Sequence, residues 1–158
     1  MRKRIISNSN QEEQKKSMVQ NWLNLEALVD VEISSEDEAH PIESALLPGN
    51  VSGWRAADPG EQTIRLVFLQ PQSIERIMLK FEGHGIERTQ EYVLRCSFGS
   101  GQFQEIVRQQ WNFSPNGADS EIENHHVELF DIKVLELIIN PDISRGNAFA
   151  TLQELRIA

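Results

Sequence analysis

Apolar side chains occupy every second position in several short stretches of this chain, and this spacing constrains its fold more than any other feature. Successive side chains of a β-strand point to opposite faces of the sheet, so residues two apart share a face. Ile64, Leu66 and Phe68 follow this rule, with the charged Arg65 between them. Three further stretches repeat it: Ile77, Leu79 and Phe81; Tyr92, Leu94, Cys96 and Phe98; and Leu135, Leu137 and Ile139. The pattern predicts strands with one buried face and one face in water.

Clusters of Gly, Pro, Asn and Asp separate these stretches and divide the chain into eight candidate strands. The candidates are residues 29–34, 63–69, 74–82, 90–98, 103–113, 125–130, 134–140 and 151–158. Eight strands exceed the usual number in one open sheet, and strands do not alternate with helices as they would in a parallel α/β protein. We therefore predict an all-β, antiparallel sandwich of two packed sheets.

The predicted strands form one domain, and residues 1–28 precede it. A chain of 158 residues fits one domain, which we place at residues 29–158. Residues 1–17 are polar and charged, which is typical of a flexible lead-in. From residue 18 to 28, Met18, Trp22, Leu25 and Leu28 recur at helical spacing, so we expect a short helix that docks on the sandwich.

The charge and the cysteine content indicate which classes of partner and which cellular compartment suit this sequence. Fifteen Lys and Arg against 24 Asp and Glu give a formal net charge of −9, which argues against a nucleic-acid partner. No apolar run approaches the ~20 residues that span a bilayer, and the basic start lacks the apolar stretch of a signal peptide. Cys96 has no second cysteine to pair with, so a reducing compartment is acceptable. We expect a cytoplasmic protein without a membrane partner.

Several segments, taken in order, resemble a known family. They are similar to segments of the discoidin, or coagulation-factor type C, domains. The similar segments are the stretch from Ser34 to Leu47, the Trp-bearing segment from Gly53 to Ala57, and Ile64–Phe68, Glu91–Leu94 and Thr151–Ile157. Residues 54–57 followed by 60–64 also resemble the N-terminal domain of the X-ray-repair scaffold protein. The resemblance covers roughly residues 29–158. It implies an eight-stranded, galactose-binding-like jelly roll whose relatives bind glycans, lipid headgroups, proteins or nicked DNA through loops at one end.

The resemblance also bears on calcium. Many discoidin relatives hold calcium with an Asp-Gly turn after the Ala-Leu pair and with a Glu of the closing strand. Here the turn reads Leu47-Pro48-Gly49-Asn50, so the Asp is missing, although Glu154 is present. Asn50 and Glu154 are the candidate metal ligands, which carbonyl oxygens would have to complete. We expect no cofactor, with calcium at these two residues as the alternative.

No enzymatic motif was found. The chain has no H-E-x-x-H, no G-x-S-x-G and no phosphate-binding loop, so we expect no catalysis. His125 and His126 are adjacent in a predicted strand and point to opposite faces, so they cannot easily share a metal ion. Cys96 falls on an apolar face, where a thiol behaves as a small hydrophobic group.

The candidate ligand-binding residues are donors and one aromatic ring. They are His84, Arg88, Arg108, Trp111, Asn112 and Arg145. The flat ring of Trp111, beside amide and guanidinium groups, suits the face and the hydroxyls of a sugar. Alternation instead places Trp111 on the same face as Val107 and Phe113, which favours a position in the core. We expect a noncatalytic module that binds carbohydrate through loops at one end of the sandwich. The alternative is an intracellular scaffold domain that binds a protein partner.

Overall fold

A computed structural model describes residues 22–49 and 52–158. Within these residues two helical turns and eight strands follow one another along the chain. They are α1 (Leu25–Leu28), β1 (Val29–Ile33), α2 (Glu43–Leu46), β2 (Trp54–Pro59), β3 (Gln62–Glu82), β4 (Arg88–Ser97), β5 (Gln104–Phe113), β6 (Ser120–Asn140), β7 (Phe149–Leu152) and β8 (Glu154–Ile157). Neither helical turn in the described part of the chain has the length and apolar composition of a membrane span.

Two long strands connect the layers of the sandwich. All neighbouring strands run antiparallel, in the order β1-β3-β6-β4-β5, with β8 also paired to β3 and with β2 paired to β7. The first half of β3 pairs with β1 and the second half pairs with β8. The register between β3 and β6 shifts three times between Val67 and Arg76, and Asp131 of β6 adopts a positive φ of 54° beside this irregular stretch. Each long strand therefore contributes one half to each layer.

The buried face matches the predicted alternation with one exception. The inward-facing residues of β3, β4 and β6 are almost fully buried, and they include Ile64, Leu66, Phe68, Ile77, Leu79, Phe81, Tyr92, Leu94, Cys96, Leu135, Leu137 and Ile139. Phe98 was wrongly assigned to this face, because its side chain is 58% exposed. The strand β4 ends at Ser97 and the chain turns through Gly99, whose φ is 103°, so alternation no longer decides which way Phe98 points.

The strand boundaries differ from the prediction in three places. Residues 63–69 and 74–82 belong to one bent strand, β3, and residues 125–130 and 134–140 belong to another, β6. Each is continuous because β3 and β6 pair with each other on both sides of the bends near Pro71 and Asp131. Residues 151–158 instead divide into β7 and β8, which pair with different strands. The strand β2 was not predicted, since its Ala-Ala-Asp-Pro sequence has low strand propensity and it forms by pairing with β7.

Only the second part of the expected docking helix, residues 22–28, lies in the described residues, and it is helical only from Leu25 to Leu28. Residues 1–17 and 18–21 lie outside the described residues. Trp22 to Asn24 are not helical, and α1 is a single turn that ends where β1 begins. The backbone N–H of Leu23 donates to the carbonyl of Ile157 at 2.7 Å, which fixes this segment beside β8 in an extended form. Leu25 is buried in the core, so the described part of the segment does dock on the sandwich.

Candidate functional site

A cleft of about 260 Å³ opens at the end of the sandwich where β3 leads into β4 and β6 leads into β7. We call it the end cleft. One wall is the turn between β3 and β4, the second is the loop after β6, and the third comes from β2 and β7. Its lining residues are Arg55, Gly83, His84, Ile86, Glu87, Arg88, Asp142, Arg145, Asn147, Ala148, Phe149 and Thr151.

Arg88 is the most buried charged group of the end cleft, with 6% of its surface exposed. Its Nη1 donates to the side-chain oxygen of Gln90 at 3.1 Å and to the carbonyl of Pro141 at 2.9 Å, and its Nη2 donates to the carbonyl of Glu82 at 3.1 Å. The guanidinium carbon lies 4.4 Å from the centre of the Phe113 ring. These contacts hold the side chain in place at the base of the loops.

The charge of Arg88 is not neutralised by an adjacent carboxylate. In the described part of the chain no carboxylate oxygen lies within 4.0 Å of this guanidinium. Burial lowers the pKa of Arg88, because removing the cation from water disfavours it, and attraction from Asp142 and Asp119 opposes this effect. A guanidinium stays protonated in proteins, so the end cleft contains a buried positive charge.

Two more arginines line the end cleft from its outer side. Arg55 and Arg145 are exposed, and neither guanidinium has a hydrogen-bond acceptor or an ion-pair partner among the described residues. The guanidinium carbon of Arg55 lies 4.8 Å from the centre of the Phe149 ring. The buried Asp142 uses one carboxylate oxygen to accept the backbone N–H of Ser144 at 3.0 Å, which shapes the loop after β6.

Thr151 adds a hydroxyl without a partner. The residue is 8% exposed and lies on β7, and its Oγ1 has no hydrogen-bond partner in the described structure. A buried hydroxyl that makes no hydrogen bond is destabilising, since it has lost its bonds to water. Thr151 lines the end cleft, but Oγ1 itself is closed to solvent, so its side chain would have to rotate before the hydroxyl could contact a polar ligand.

The turn between β3 and β4 depends on glycine. A Cβ on Gly83 would lie 2.2 Å from Oδ1 of Asp119 and 2.9 Å from Cδ1 of Phe113. The next two residues, His84 and Gly85, have positive φ values of 56° and 73°. The N–H of Gly85 donates to Oδ1 of Asp119 at 3.1 Å, so Asp119 holds the turn that presents His84 to the end cleft.

The structure brings together three of the six predicted ligand-binding residues. His84, Arg88 and Arg145 all line the end cleft. Arg108 lies elsewhere, in a second groove of about 280 Å³ on the outer face of β4 and β5, where it forms ion pairs with Glu91 and Glu105.

The last two predicted residues lie on β5, away from the residues of the end cleft. Asn112 is exposed and accepts a hydrogen bond from Oγ1 of Thr89 at 2.7 Å. Trp111 is partly buried against the core, and its Nε1 is buried without a hydrogen-bond partner in the described structure. Neither residue lines the end cleft.

Arg55, Phe149 and Thr151 were not selected from the sequence. Arg55 lies on β2, the strand that alternation did not detect, and Phe149 lies just before the last predicted strand. Thr151 carries no signal of its own, because only the structure shows that its hydroxyl is buried without a partner. Pairing of β2 with β7 is what brings these residues beside the loops.

Only one of the two candidate metal ligands lies in the described residues. Among the described residues no three His, Cys, Asp or Glu side chains form a group that could hold a metal ion. Glu154 lies on β8 opposite Lys80, and Asn50 lies outside the described residues. His125 is partly buried with its Nε2 2.7 Å from the Tyr92 hydroxyl, whereas His126 is exposed, so the two rings do face opposite sides. Burial lowers the pKa of His125.

The family comparison is a match to one model. The sequence matches the family model described as XRCC1 N terminal domain over residues 23–138. No curated protein matches the chain.

Solved structures with the same fold include carbohydrate-binding modules. A pectin-binding carbohydrate-binding module is 23% identical, with a TM-score of 0.60 over 82% of this chain and 89% of that one. The family 32 module of Clostridium perfringens NanJ, solved with galactose, is 16% identical, with a TM-score of 0.58 over 86% and 96%. Reduced XRCC1 bound to the DNA pol beta catalytic domain is 14% identical, with a TM-score of 0.57 over 83% and 97%. These similarities confirm the predicted galactose-binding-like sandwich.

Proposed function

Because the chain belongs to the XRCC1 N terminal domain family and shares the sandwich of carbohydrate-binding modules, we propose that it is a noncatalytic module that binds carbohydrate in the end cleft. One observation carries the proposal. The end cleft combines a buried guanidinium, an unpartnered buried hydroxyl and an aromatic side chain within about 260 Å³.

The chemistry of these groups suits a sugar ring. Arg88, Arg145 and the hydroxyl of Thr151 offer hydrogen bonds, and sugar hydroxyls both donate and accept them. Phe149, which is 36% exposed, offers apolar surface to the C–H groups of a sugar. A ligand hydroxyl that reaches Oγ1 of Thr151 would also remove the cost of its missing hydrogen bond.

Two relatives support this ligand class. One is a module named for pectin binding, and the other was solved with galactose. We also propose that the protein acts in the cytoplasm, makes or breaks no covalent bond, and needs no calcium to bind its ligand.

A protein partner is the second candidate function. It is favoured by the family itself and by the related structure in which reduced XRCC1 is bound to the DNA pol beta catalytic domain. The two functions differ in what the end cleft must do. A saccharide ligand requires the cleft-lining residues, whereas a protein partner can bind any exposed face of the sandwich.

Thermal melting against a panel of neutral and acidic mono- and oligosaccharides tests the proposal. A ligand at a hundredfold its Kd adds about 2.7 kcal/mol to the stability of the folded state, and each kcal/mol moves the Tm of a domain this size by roughly 2–4 °C. We expect such a rise with at least one saccharide, unchanged by a calcium chelator. A panel without any rise, together with a stoichiometric protein recovered on the immobilised domain, would favour the protein partner.

Matched variants locate the binding. Thr151→Val removes only the unpartnered hydroxyl, and Arg145→Ala removes an exposed guanidinium of the end cleft. We expect each to weaken saccharide binding about tenfold, the effect of losing roughly 1.4 kcal/mol of hydrogen bonding. Arg108→Ala, in the groove on the outer face of β4 and β5, is the control and should leave affinity unchanged. The reverse pattern, with loss only in Arg108→Ala, would move the site to that groove.

A further inference from the structure

In the described part of the chain, the arginines of the end cleft have no carboxylate in direct contact. We propose that the end cleft selects saccharides that carry a carboxylate, such as uronic acids, over their neutral counterparts. This inference rests on the proposed function, because it names the ligand class of the same cleft.

The first argument is the buried charge of Arg88. A buried ion is strongly disfavoured unless an opposite charge or a full set of hydrogen bonds compensates it. Arg88 is 6% exposed, and in the described structure it has only uncharged oxygens as direct partners. Asp142 and Asp119 attract Arg88 without a direct ion pair, so a carboxylate that enters the end cleft would be the first to contact the guanidinium among the described groups.

The second argument is the number of donors that Arg88 has left. A guanidinium has five N–H groups in a planar fork that fits a carboxylate. Three hydrogen bonds to Gln90, Pro141 and Glu82 hold the side chain, so two N–H groups have no acceptor among the described residues. Two donors on one planar group are the number that a bidentate carboxylate contact uses.

The third argument is that the described arginines outside the end cleft have ion-pair or hydrogen-bond partners, whereas two of those that line it have none in the described structure. Arg65, Arg95 and Arg108 are ion-paired with glutamates on the outer face of the sheet. Arg76 donates to Asn124, and Arg156 donates to the carbonyls of Ala45, Leu47 and Leu155. Only Arg55 and Arg145 are left without an acceptor in the described residues, and both line the end cleft.

The end cleft is less acidic than the protein as a whole. Three arginines and two acidic residues, Glu87 and Asp142, line the cleft, and the carboxylate of Asp119 behind the turn also attracts Arg88, whereas the whole chain has a formal charge of −9. Asp142 is buried with one oxygen accepting the N–H of Ser144, so it belongs to the loop as well as to the cleft. The charges at this end of the sandwich are therefore close to balanced, so it repels an anionic ligand less than the acidic remainder of the protein does.

The size of the end cleft favours a sugar ring as the carrier of the carboxylate. A volume of about 260 Å³ lies just below the usual range for small-molecule sites, so it suits one or two rings at the end of a chain. Phe149 and Thr151 also line the cleft, and a sugar ring has the C–H faces and hydroxyls to contact them, which a simple carboxylic acid lacks.

Calorimetric titration with three matched sugars tests the selectivity. The probes are D-galactose, D-galacturonate and the methyl ester of D-galacturonate, which differ at carbon 6 as an alcohol, a carboxylate and a neutral ester. We expect galacturonate to bind at least about tenfold more tightly than the other two, equivalent to about 1.4 kcal/mol. Its affinity should fall as salt rises from 0.05 to about 0.5 M, because ions screen the attraction, whereas galactose binding should not change. Acetate at equal ionic strength should not bind.

Variants separate this inference from the proposed function. Arg145→Gln and Arg55→Gln should reduce the preference for galacturonate over galactose, while Arg108→Gln leaves it unchanged. Arg88→Lys keeps the charge but loses the planar fork, and its melting curve shows whether the fold is intact. Equal affinity for galactose, galacturonate and the ester would overturn the inference but leave carbohydrate binding in place. Absence of binding by all sugars, including uronate oligomers, would overturn both.

Discussion

Gly83 is the residue on which the shape of the end cleft depends most directly. A side chain at this position would collide with Oδ1 of Asp119, which also accepts the N–H of Gly85. We predict that Gly83→Ala lowers the free energy of unfolding by roughly 1–3 kcal/mol, the usual cost of forcing extra volume into a packed site. Denaturant titration measures this change, and saccharide affinity should fall with it because the turn that carries His84 must move.

Gly117→Ala is the matched control for this prediction. Gly117 lies in the neighbouring turn, and a Cβ there would have no atom within 4 Å. Its stability should change by less than about 0.5 kcal/mol, as for most surface substitutions. Equal stability of the two variants would contradict the packing that the structure assigns to Gly83.

Residue-scale features of the site were only partly predictable. His84, Arg88 and Arg145 could be selected from the sequence because they are donors in loops that follow strands. The isolation of Arg88 from carboxylates and the unpartnered hydroxyl of Thr151 could not, since both depend on which distant atoms the fold brings near them. Arg108, Trp111 and Asn112 have suitable chemistry, but β5 carries them away from the end cleft.

At the scale of strands, one ionic cluster ties the middle of the larger sheet together. Glu136 of β6 is 1% exposed, and it accepts hydrogen bonds from Arg65 of β3 and Arg95 of β4 at 2.8 Å. Both guanidinium groups also pack against the Phe103 ring. The guanidinium carbon lies 5.8 Å from the ring centre for Arg65 and 4.5 Å for Arg95.

We predict that Glu136→Gln destabilises the domain by about 2 kcal/mol, a value discounted because both arginines stay partly in water. The loss follows from weaker hydrogen bonds to a neutral amide, and thermal and denaturant unfolding measure it. Glu128→Gln, an exposed position of the same strand, should be neutral. A Glu136→Gln variant as stable as the parent would show that the cluster contributes nothing to the pairing of β3, β6 and β4.

The sandwich as a whole was predictable because its information is local. Alternation of apolar and polar residues decided the buried face of β3, β4 and β6 without reference to any partner strand. The continuity of β3 and β6 through their bends was not predictable, since Pro and Asp are typical turn residues. Both strands continue past Pro71 and Asp131 because they stay paired with each other on either side of the bends. The strand β2 escaped prediction for the same reason, and with it Arg55.

Within residues 22–49 and 52–158, the molecule therefore combines a sheet surface whose arginines are paired with glutamates and an end cleft whose arginines are not. Amide chemical-shift mapping with D-galacturonate tests this division most directly. We predict shifts in the turn of residues 83–88 and in residues 142–151, with little change in residues 104–112 of β5. Shifts concentrated on the outer face of β4 and β5, with the end cleft unaffected, would contradict it.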